Sequence, residues 1–271
     1  MSTAPLVAPP ARSFAAALKI QIRVIGALIM RELHTRYGRE NVGYLWMFLE
    51  PMLLASVIGL MHYETGHTAY GVDLKPLPFG VLGYTVFILF RGLVNRAEGM
   101  IEANAPLLYH RSVTVLDLVI ARALLEFASV FATFVIIMTL IICIGMAEPP
   151  ARPLYLMLGW GLMWWYCLGH SLLITAITYE NRTIGRLVHP YSYFMTGLSG
   201  AFYQMKWLPE GVRQWAEWLP TTSIFEAARY GYFESASDEY AYYGYVCAAC
   251  LISTWVGLVL VRRLRDKIHL S

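Results

Sequence analysis

The chain of 271 residues is unusually apolar, with 58% hydrophobic and 14% charged residues and a formal net charge of +3. Soluble domains carry about 25% charged residues, so this composition excludes an ordinary soluble protein and indicates an integral membrane protein. The small basic excess is typical of a protein whose loops face anionic lipid, and it does not require nucleic acid as a partner.

The N-terminal region, residues 1–43, contains an amphipathic segment ahead of the first long apolar run. Within residues 13–36, apolar side chains recur at spacings of three and four, which is the period of an α-helix. The stripe comprises Phe14, Leu18, Ile22, Ile25, Ile29 and Leu33. This pattern predicts an interfacial helix that lies in the plane of the cytoplasmic head groups.

Six mostly apolar runs follow, and each is long enough to cross a hydrocarbon core of about 30 Å as a helix. They cover residues 44–62, 79–95, 118–145, 154–178, 184–203 and 243–262. Helices are the expected conformation because lipid offers the backbone no hydrogen-bond partners. We therefore expect an all-α membrane protein with six transmembrane helices in residues 44–262, followed by a cytoplasmic tail, residues 263–271.

The distribution of basic residues predicts the orientation of the chain. If the N-terminus lies inside, 16 of the 21 Lys and Arg residues fall on the cytoplasmic side and five on the opposite side. The positive-inside rule then places both termini in the cytoplasm.

Motifs typical of covalent catalysis are missing from the sequence. It contains no phosphate-binding loop, no His-Glu-x-x-His pair and no Gly-x-Ser-x-Gly elbow. Cys247 and Cys250 have Cys-x-x-Cys spacing, but no second ligand pair accompanies them. We expect the cysteines to be small apolar residues within helices, and we predict no catalytic residue, cofactor or metal site in this chain.

Glu50 is the acidic residue that the first apolar run brings into the membrane. It lies six residues beyond Tyr44, about 9 Å along a helix, and Pro51 follows it. An ionisable group at such a depth indicates a functional site, here a gating carboxylate. The alternative is a structural carboxylate that pairs with Arg31, Arg36 or Arg39.

Three segments of the chain resemble the permease subunits of ABC exporters for capsular polysaccharide. The first runs from Arg-Glu-Leu and Arg-Tyr-Gly in residues 31–38 into Gly-Tyr-Leu-Trp and Leu-Glu-Pro in residues 43–51. The second is Asn-Ala-Pro-Leu-Leu-Tyr-His at 104–110. The third, in residues 219–231, runs from Leu-Pro-Thr-Thr to Phe-Glu-Ala-Ala-Arg-Tyr-Gly.

This resemblance implies an ATP-driven export channel in a bacterial inner membrane. Two permease copies would combine with two separate ATPase subunits, and ATP and Mg would bind the ATPase subunits. The cargo would be lipid-linked polysaccharide, which periplasmic and outer-membrane export proteins would receive. The alternatives are another glycan such as O-antigen or teichoic acid, a proton-coupled transporter that uses Glu50, Glu126 and His170, and a membrane enzyme that acts on lipid-linked sugar.

The loop at residues 95–111 is the segment that the resemblance implicates in coupling to the ATPase. It is polar and contains Arg96, Glu98, Glu102 and Asn104. In such exporters a short helix of this kind docks onto the ATPase, and Arg36 and Arg39 at the end of the interfacial helix are expected to contribute. The alternative is an ordinary cytoplasmic connection.

Aromatic residues deep in two apolar runs are candidates for the lining of a substrate channel. We single out Trp164, Trp165, Tyr166, Tyr191, Tyr193 and Phe194, since aromatic faces suit contact with sugar rings. The alternative is packing within the helix bundle. We expect Arg122 to pair with Glu126 four residues later, and contact with a substrate phosphate is its alternative role.

The external segment at residues 204–242 is predicted to hold two short helices. Pro209 precedes the first, which carries Val212, Trp215 and Trp218, while a capping box over residues 223–226 starts the second. The resemblance implies that they form a re-entrant pair in the outer leaflet, and a surface hairpin is the alternative.

Overall fold

The computed structural model describes residues 14–37, 74–109 and 113–268, together with residues 52, 53 and 57. Among these residues the regular structure is helical and includes no strand, in agreement with the all-α prediction. The run at residues 44–62, Glu50 within it, and the coupling candidate Arg39 lie largely or wholly outside the described residues, as does the side chain of Arg36.

The described residues form ten α-helices and a short 3-10 turn. They are α1 Phe14–Tyr37, α2 Pro76–Ala97, α3 Met100–Ala103, α4 Ala105–Leu108, α5 Val115–Cys143, α6 Pro153–Glu180, α7 Arg182–Leu198, the 3-10 turn Met205–Trp207, α8 Glu210–Ala216, α9 Pro220–Tyr232 and α10 Tyr243–Ile268. Five predicted apolar runs therefore correspond to α2, α5, α6, α7 and α10.

Three of the described helices are long and apolar enough to cross a membrane, namely α2, α5 and the stretch Tyr243–Leu264 of α10. Helix α6 is as long as these helices, but its Trp, Tyr and His residues reduce its hydropathy. Helix α7 has 17 residues and begins with Arg182. A long apolar helix is thus established for three of the predicted spans.

Local sequence signals explain several helix boundaries. Pro76 lies in the first turn of α2, where its missing N–H costs no hydrogen bond. Helix α2 ends before Gly99, which has a φ of 66° and so takes the left-handed conformation that glycine adopts readily. Helix α5 begins with a capping box, in which the Thr114 hydroxyl accepts from the Asp117 N–H and the Asp117 carboxylate accepts from the Thr114 N–H.

The start of α9 differs from the sequence prediction. The helix begins at Pro220, three residues before the expected capping box, because proline is pre-organised for the first helical turn. Glu226 consequently lies within the helix, where its carboxylate accepts from the backbone N–H of Met205 at 3.0 Å. It ties α9 to the preceding 3-10 turn rather than capping its own helix.

Helix α6 lies at the centre of the bundle and contacts α2, α5, α7, α9 and α10. The main core consists of large buried side chains, among them Phe79, Phe87, Phe90, Trp160, Met163 and Phe225. A second, smaller core joins α1 to α3 and α5 through the buried residues Leu28, Met100 and Leu118. Helix α1 is therefore attached to the bundle by apolar packing.

The side of α1 that packs on the protein is not centred on the apolar stripe. Leu28 is the buried apolar residue of this helix, whereas Leu18 and Ile22 are 46% and 63% exposed. Polar contacts join the protein-facing side of α1 to the bundle, since Gln21 donates to Asp117 at 3.1 Å and Arg31 donates to Asn104 at 2.9 Å. Only part of the stripe packs on the protein.

The bundle has two chemically different ends. We call the end formed by α1, α3, α4 and the neighbouring turns of α2 and α5 the α1 end. The opposite end, formed by residues 199–234 and the first two turns of α2 and α6, is called the α9 end.

Backbone segments approach very closely at the α9 end. A Cβ atom at Gly231 of α9 would overlap the backbone of Leu156 in α6, and one at Gly83 of α2 would overlap the Ala201 carbonyl. The Ala151 and Arg152 N–H groups donate to Tyr232 and Gly231 carbonyls at 3.0 and 2.8 Å. These contacts join α9 to the bundle through main-chain atoms.

Arg229 is the buried cation of the α9 end. Its side chain is 2% exposed and forms an ion pair with Glu226 at 3.0 Å. It also donates to the carbonyl of Ala201 at 3.0 Å and to that of Gly200, and its guanidinium lies 4.5 Å from the centre of the Phe79 ring. One side chain therefore connects α9, α2 and the turn that follows α7.

Candidate coupling and transport sites

A cluster of ion pairs joins three helices at the α1 end. Arg122 of α5 contacts Glu32 of α1 at 2.6 Å, and Arg96 of α2 contacts Glu126 of α5 at 2.6 Å. Arg122 also donates to the Arg96 carbonyl at 3.2 Å, which links the two pairs. The first pair is largely buried, with side chains 17% and 18% exposed, so its attraction is screened less than that of a surface pair.

These contacts replace the expected pairing of Arg122 with Glu126. The two side chains lie one turn apart on α5, but each short ion pair reaches another helix. Gly92 makes this possible, because a Cβ atom there would lie 2.6 Å from a carboxylate oxygen of Glu126. The absence of a side chain at Gly92 leaves room for Glu126 to reach Arg96 on α2. The guanidinium of Arg122 is thus already paired with Glu32 of the same chain.

The coupling candidates of α2, α3 and α4 divide into inward and outward groups. Arg96 belongs to the ion-pair cluster, and Asn104 is buried between the Arg31 guanidinium and the Met100 carbonyl, to which it donates. Glu98 lies 3.7 Å from His189 of α7. Glu102 is exposed. Three of the four candidates therefore connect this segment to α1, α5 and α7.

Tyr109 is the large exposed side chain of the α3–α4 segment. It is 81% exposed, and Glu102, Ala103 and Pro106 are exposed beside it. Tyr109 belongs to the loop that the resemblance implicates in coupling to the ATPase. The candidates in this loop were chosen because they are polar, and that criterion does not select a tyrosine. Tyrosine is enriched at protein–protein interfaces. A solvent-exposed tyrosine at the end of this short helical segment is therefore a candidate contact residue.

The aromatic candidates of α6 pack within the bundle. Trp164 is half-buried and donates its indole N–H to the Ala123 carbonyl at 3.0 Å. Tyr166 is buried, stacks on Phe90 and lies 4.2 Å from the His170 ring. Trp165 is half-buried against the same core. The monomer thus uses these side chains as helix contacts.

The aromatic candidates of α7 are exposed. Tyr191, Tyr193 and Phe194 are 36%, 60% and 70% exposed. Leu187, Tyr191 and Phe194 recur at spacings of four and three, so they lie on one side of the helix, which we call the α7 face. Tyr193 lies on another side of α7. The guanidinium of Arg91 in α2 lies 4.4 Å from the centre of the Tyr193 ring. In the sequence, Arg91 is distinguished only as a charged residue within the apolar run 79–95.

No group of three His, Cys, Asp or Glu residues within the described parts of the chain could hold a metal ion. Cys167 and Cys250 are buried, and Cys250 donates its thiol to the Leu162 carbonyl at 3.8 Å. The ion pairs at the α1 end join α1 to the long apolar helices α2 and α5.

The described residues form a bundle of helices, three of which are long and apolar enough to cross a membrane, and this architecture defines a helical membrane protein. Residues 23–233 match the family described as ABC-2 type transporter. This match covers most of the 271 residues, and the chain belongs to the ABC-2 type transporter membrane proteins.

Relatives of known name cover nearly the whole chain. The chain is 39% identical over 251 residues to the "Capsule polysaccharide export inner-membrane protein CtrC" of Neisseria meningitidis serogroup B, covering 93% of this chain and 94% of the relative. It is 35% identical to the "Capsule polysaccharide export inner-membrane protein BexB" of Haemophilus influenzae, with coverages of 95% and 97%. It is 28% identical to the "Polysialic acid transport protein KpsM" of Escherichia coli, with coverages of 90% and 94%.

Proposed function

We propose that this chain is the inner-membrane permease of an ATP-driven exporter for capsular polysaccharide. The names of relatives that match more than nine-tenths of the chain support this cargo and location. The permease would act as two copies, with two ATPase subunits that bind ATP and Mg. Lipid-linked polysaccharide would pass outward to periplasmic and outer-membrane export proteins.

The α1 end is assigned to the cytoplasm in this proposal. The excess of basic residues on this side supports the assignment, and it leaves both termini inside. Six spans would then lie in residues 44–262, between the N-terminal region 1–43 and the tail 263–271. The exposed Trp215 and Trp218, at 81% and 76%, suit the membrane interface and support a re-entrant pair formed by α8 and α9.

The ion-pair cluster at the α1 end is the observation that carries the coupling mechanism. The exposed α3–α4 segment would dock on the ATPase through Glu102, Pro106 and Tyr109. Its movement would reach α1 through the Asn104–Arg31 hydrogen bond at 2.9 Å and α7 through the 3.7 Å contact of Glu98 with His189. The pair Glu32–Arg122 keeps α1 and α5 together during that movement.

The α7 face is the best candidate for the wall of the export path. Its aromatic side chains are exposed in the monomer, whereas those of α6 are packed. A second copy that meets this face across a polar channel would place Tyr191 and Phe194 beside the cargo. Aromatic rings contact sugar rings without fixing them in one position.

Co-purification of the ATPase from gently solubilised membranes tests the proposal. We expect the wild-type chain to bring down an ATPase with measurable turnover, and we expect Tyr109→Ala or Glu102→Lys to reduce recovery severalfold. Glu234→Lys makes the same charge change on an exposed residue of the α9 end and serves as the matched control. A folded permease that recovers no ATPase would overturn the proposal.

A further inference from the structure

A one-residue turn and a proline bound the first two turns of α7. Helix α6 ends at Glu180 and α7 begins at Arg182, so Asn181 alone joins them. At the other end of these turns, Pro190 lies inside α7. Proline has no N–H, so the carbonyl four residues earlier loses its hydrogen bond and the helix can bend there. We call residues 182–189 the first segment of α7.

A second feature favours a bend directly after the first segment of α7. The Ser192 hydroxyl donates to the His189 carbonyl at 2.9 Å. A serine side chain that bonds to the preceding turn competes with the hydrogen-bond ladder of the helix and often bends it. Pro190 and Ser192 therefore mark the same point of α7 as a hinge.

The first segment of α7 packs on the bundle through few side chains. Gly185 and Val188 are buried, whereas its other six residues are exposed. A glycine and a valine bury little apolar surface, and the stabilisation from burial is roughly proportional to that surface. Polar contacts therefore contribute much of what holds this segment in position.

Glu98, at the end of α2, supplies such a contact. A Cβ atom at Gly185 would lie 2.8 Å from one carboxylate oxygen of Glu98, and the other oxygen lies 3.7 Å from Nε2 of His189. Gly185 and His189 are four residues apart, so they lie on the same side of α7, one turn from each other. One carboxylate thus spans a full turn of the first segment, and the missing side chain of Gly185 makes room for it.

The charge of this contact depends on the protonation of His189. A carboxylate forms an ion pair only with a protonated imidazole, and imidazoles gain their proton between about pH 5 and 8. The side chains of His189 and Glu98 are 57% and 32% exposed, so protons from the solvent reach both. The attraction is complete at the acidic end of this range and is lost as the pH rises through it.

Other charged and titratable groups surround His189. Among the described residues, Glu98 is the carboxylate within ion-pair distance of its imidazole. In α2, Arg96 is paired with Glu126, and Arg91 stacks on Tyr193, one turn after His189. The remaining groups on α7 and on the adjacent helix α6 are Arg182, Arg186, His170, Tyr179 and Glu180.

We propose that Glu98 and His189 form a pH-sensitive latch on the hinge of α7. While the imidazole is protonated, the ion pair holds the first segment of α7 against the end of α2. Once the imidazole is neutral, the segment turns more freely about Pro190. The part of α7 beyond the hinge carries Tyr191 and Phe194 of the α7 face. The latch therefore makes the bend of α7 sensitive to cytoplasmic pH, a regulation that rests on the proposed export function.

Double electron–electron resonance on the full-length permease in nanodiscs tests the latch. Spin labels at the exposed residues Thr183 and Leu198 report the bend, in a background without the four native cysteines and diluted with unlabelled permease. The two positions lie about 22 Å apart along a straight helix. We expect a narrow distance distribution at about pH 5.5, where glutamate is still ionised, and an about twofold broader one at about pH 8.

Four variants separate the effect of charge from that of folding. Glu98→Gln and His189→Gln keep polar side chains but remove the ion pair, so we expect the broad distribution at both pH values. His189→Lys is charged at both pH values and should give the narrow distribution at both. Pro190→Ala restores the missing N–H and should also give a narrow distribution at both.

His34→Gln is the matched control, because it removes another exposed imidazole, one that contacts a carbonyl of its own helix α1. We expect this variant to keep the wild-type pH response. A wild-type distribution that does not change with pH overturns the latch, as does a full pH response in Glu98→Gln. A broad distribution of His189→Lys at about pH 8 also overturns it, because charge would then not hold the segment.

The same variants distinguish the latch from the proposed function. The distances are measured on the permease alone, so recovery of the ATPase tests the exporter independently. In the complete exporter, we expect the amount of polysaccharide exported per ATP hydrolysed to respond to pH in the wild type and to lose that response in Glu98→Gln. An equal response of the wild type and Glu98→Gln overturns the role of the latch in export.

Discussion

The two ends of the bundle are held together in different ways. At the α9 end, backbone meets backbone, as at Gly231 with Leu156 and Gly83 with Ala201, and Arg229 is buried beneath. At the α1 end, helices are joined by side-chain pairs such as Glu32 with Arg122, part of which remains accessible to solvent.

This difference matters for a transporter. Backbone contacts that exclude even a methyl group have one arrangement, so the α9 end of each copy should behave as a rigid unit. Side-chain contacts such as those of Glu98 and Asn104 can separate and reform at smaller cost, so α3 and α4 can shift relative to α1 and α5, which the Glu32–Arg122 pair holds together. The end that we assign to the ATPase is thus the adjustable one.

The largest expected effect is the loss of the α9 end by Gly231→Ala. The new methyl group would overlap the Leu156 backbone, so α9 could not dock on α6. We expect little folded protein by fluorescence-detected size-exclusion chromatography. Gly244→Ala is the matched control, because open space surrounds that helical glycine, and alanine favours a helix over glycine by about 1 kcal/mol. Equal yields of the two variants would contradict the account.

Removal of the buried cation is expected to be the next largest effect. Arg229→Met leaves Glu226 as an uncompensated buried charge and deprives two carbonyls of a donor, which should cost about 3–5 kcal/mol. The double variant Arg229→Met with Glu226→Gln restores neutrality, and the amide oxygen still accepts from Met205. We expect thermal unfolding in detergent to show the double variant above the single one. A single variant as stable as wild type would show that the pair does not anchor α9.

Breaking the pair at the α1 end should affect coupling more than folding. Glu32→Gln is expected to cost about 1–3 kcal/mol of stability, with the folded permease still recovered. The complex should hydrolyse ATP but export less glycan, as measured by surface polysaccharide per ATP hydrolysed. Asp117→Asn is the control for charge loss next to α1, since it weakens a helix cap and not the cluster. If Glu32→Gln exports as much polysaccharide per ATP hydrolysed as the wild type, the ion-pair cluster does not link ATP hydrolysis to export.

The smallest effect is expected from the exposed pair of Lys75 with Glu148, whose atoms lie 2.8 Å apart. The hydrogen bond and positive charge of Lys75 hold the pKa of Glu148 below its ordinary value of 4.5. A lowered pKa stabilises the fold above that value, and the contribution is lost as the pH falls through the lowered pKa. Lys75→Met should lower the Tm slightly at pH 7 and not at all once Glu148 is protonated. A large shift at pH 7 would contradict the surface character of this pair.

Apolar length and periodicity were sufficient to predict α2, α5, α6, α7 and α10, because burial in lipid or in the core selects long apolar helices. The start of α9 was misplaced because Pro220 and the capping box compete as local signals, and only the packing of α9 decides between them. The predicted i, i+4 pair of Arg122 with Glu126 was wrong, because the space beside Gly92 and the approach of α1 are tertiary features that the local sequence does not show. The exposed α7 face and the packed rings of α6 have the same composition, and only the fold separates them.

A distance measurement at both ends tests the central claim most directly. Spin labels would be placed on exposed residues in a background without the four native cysteines, with one pair at Lys19 and Ala103 and another at Glu210 and Glu234. In the permease–ATPase complex, trapping with ATP and vanadate should shift the first distance distribution and leave the second unchanged. A shift confined to Glu210 and Glu234 would contradict the assignment of the α1 end as the adjustable, ATPase-coupled end.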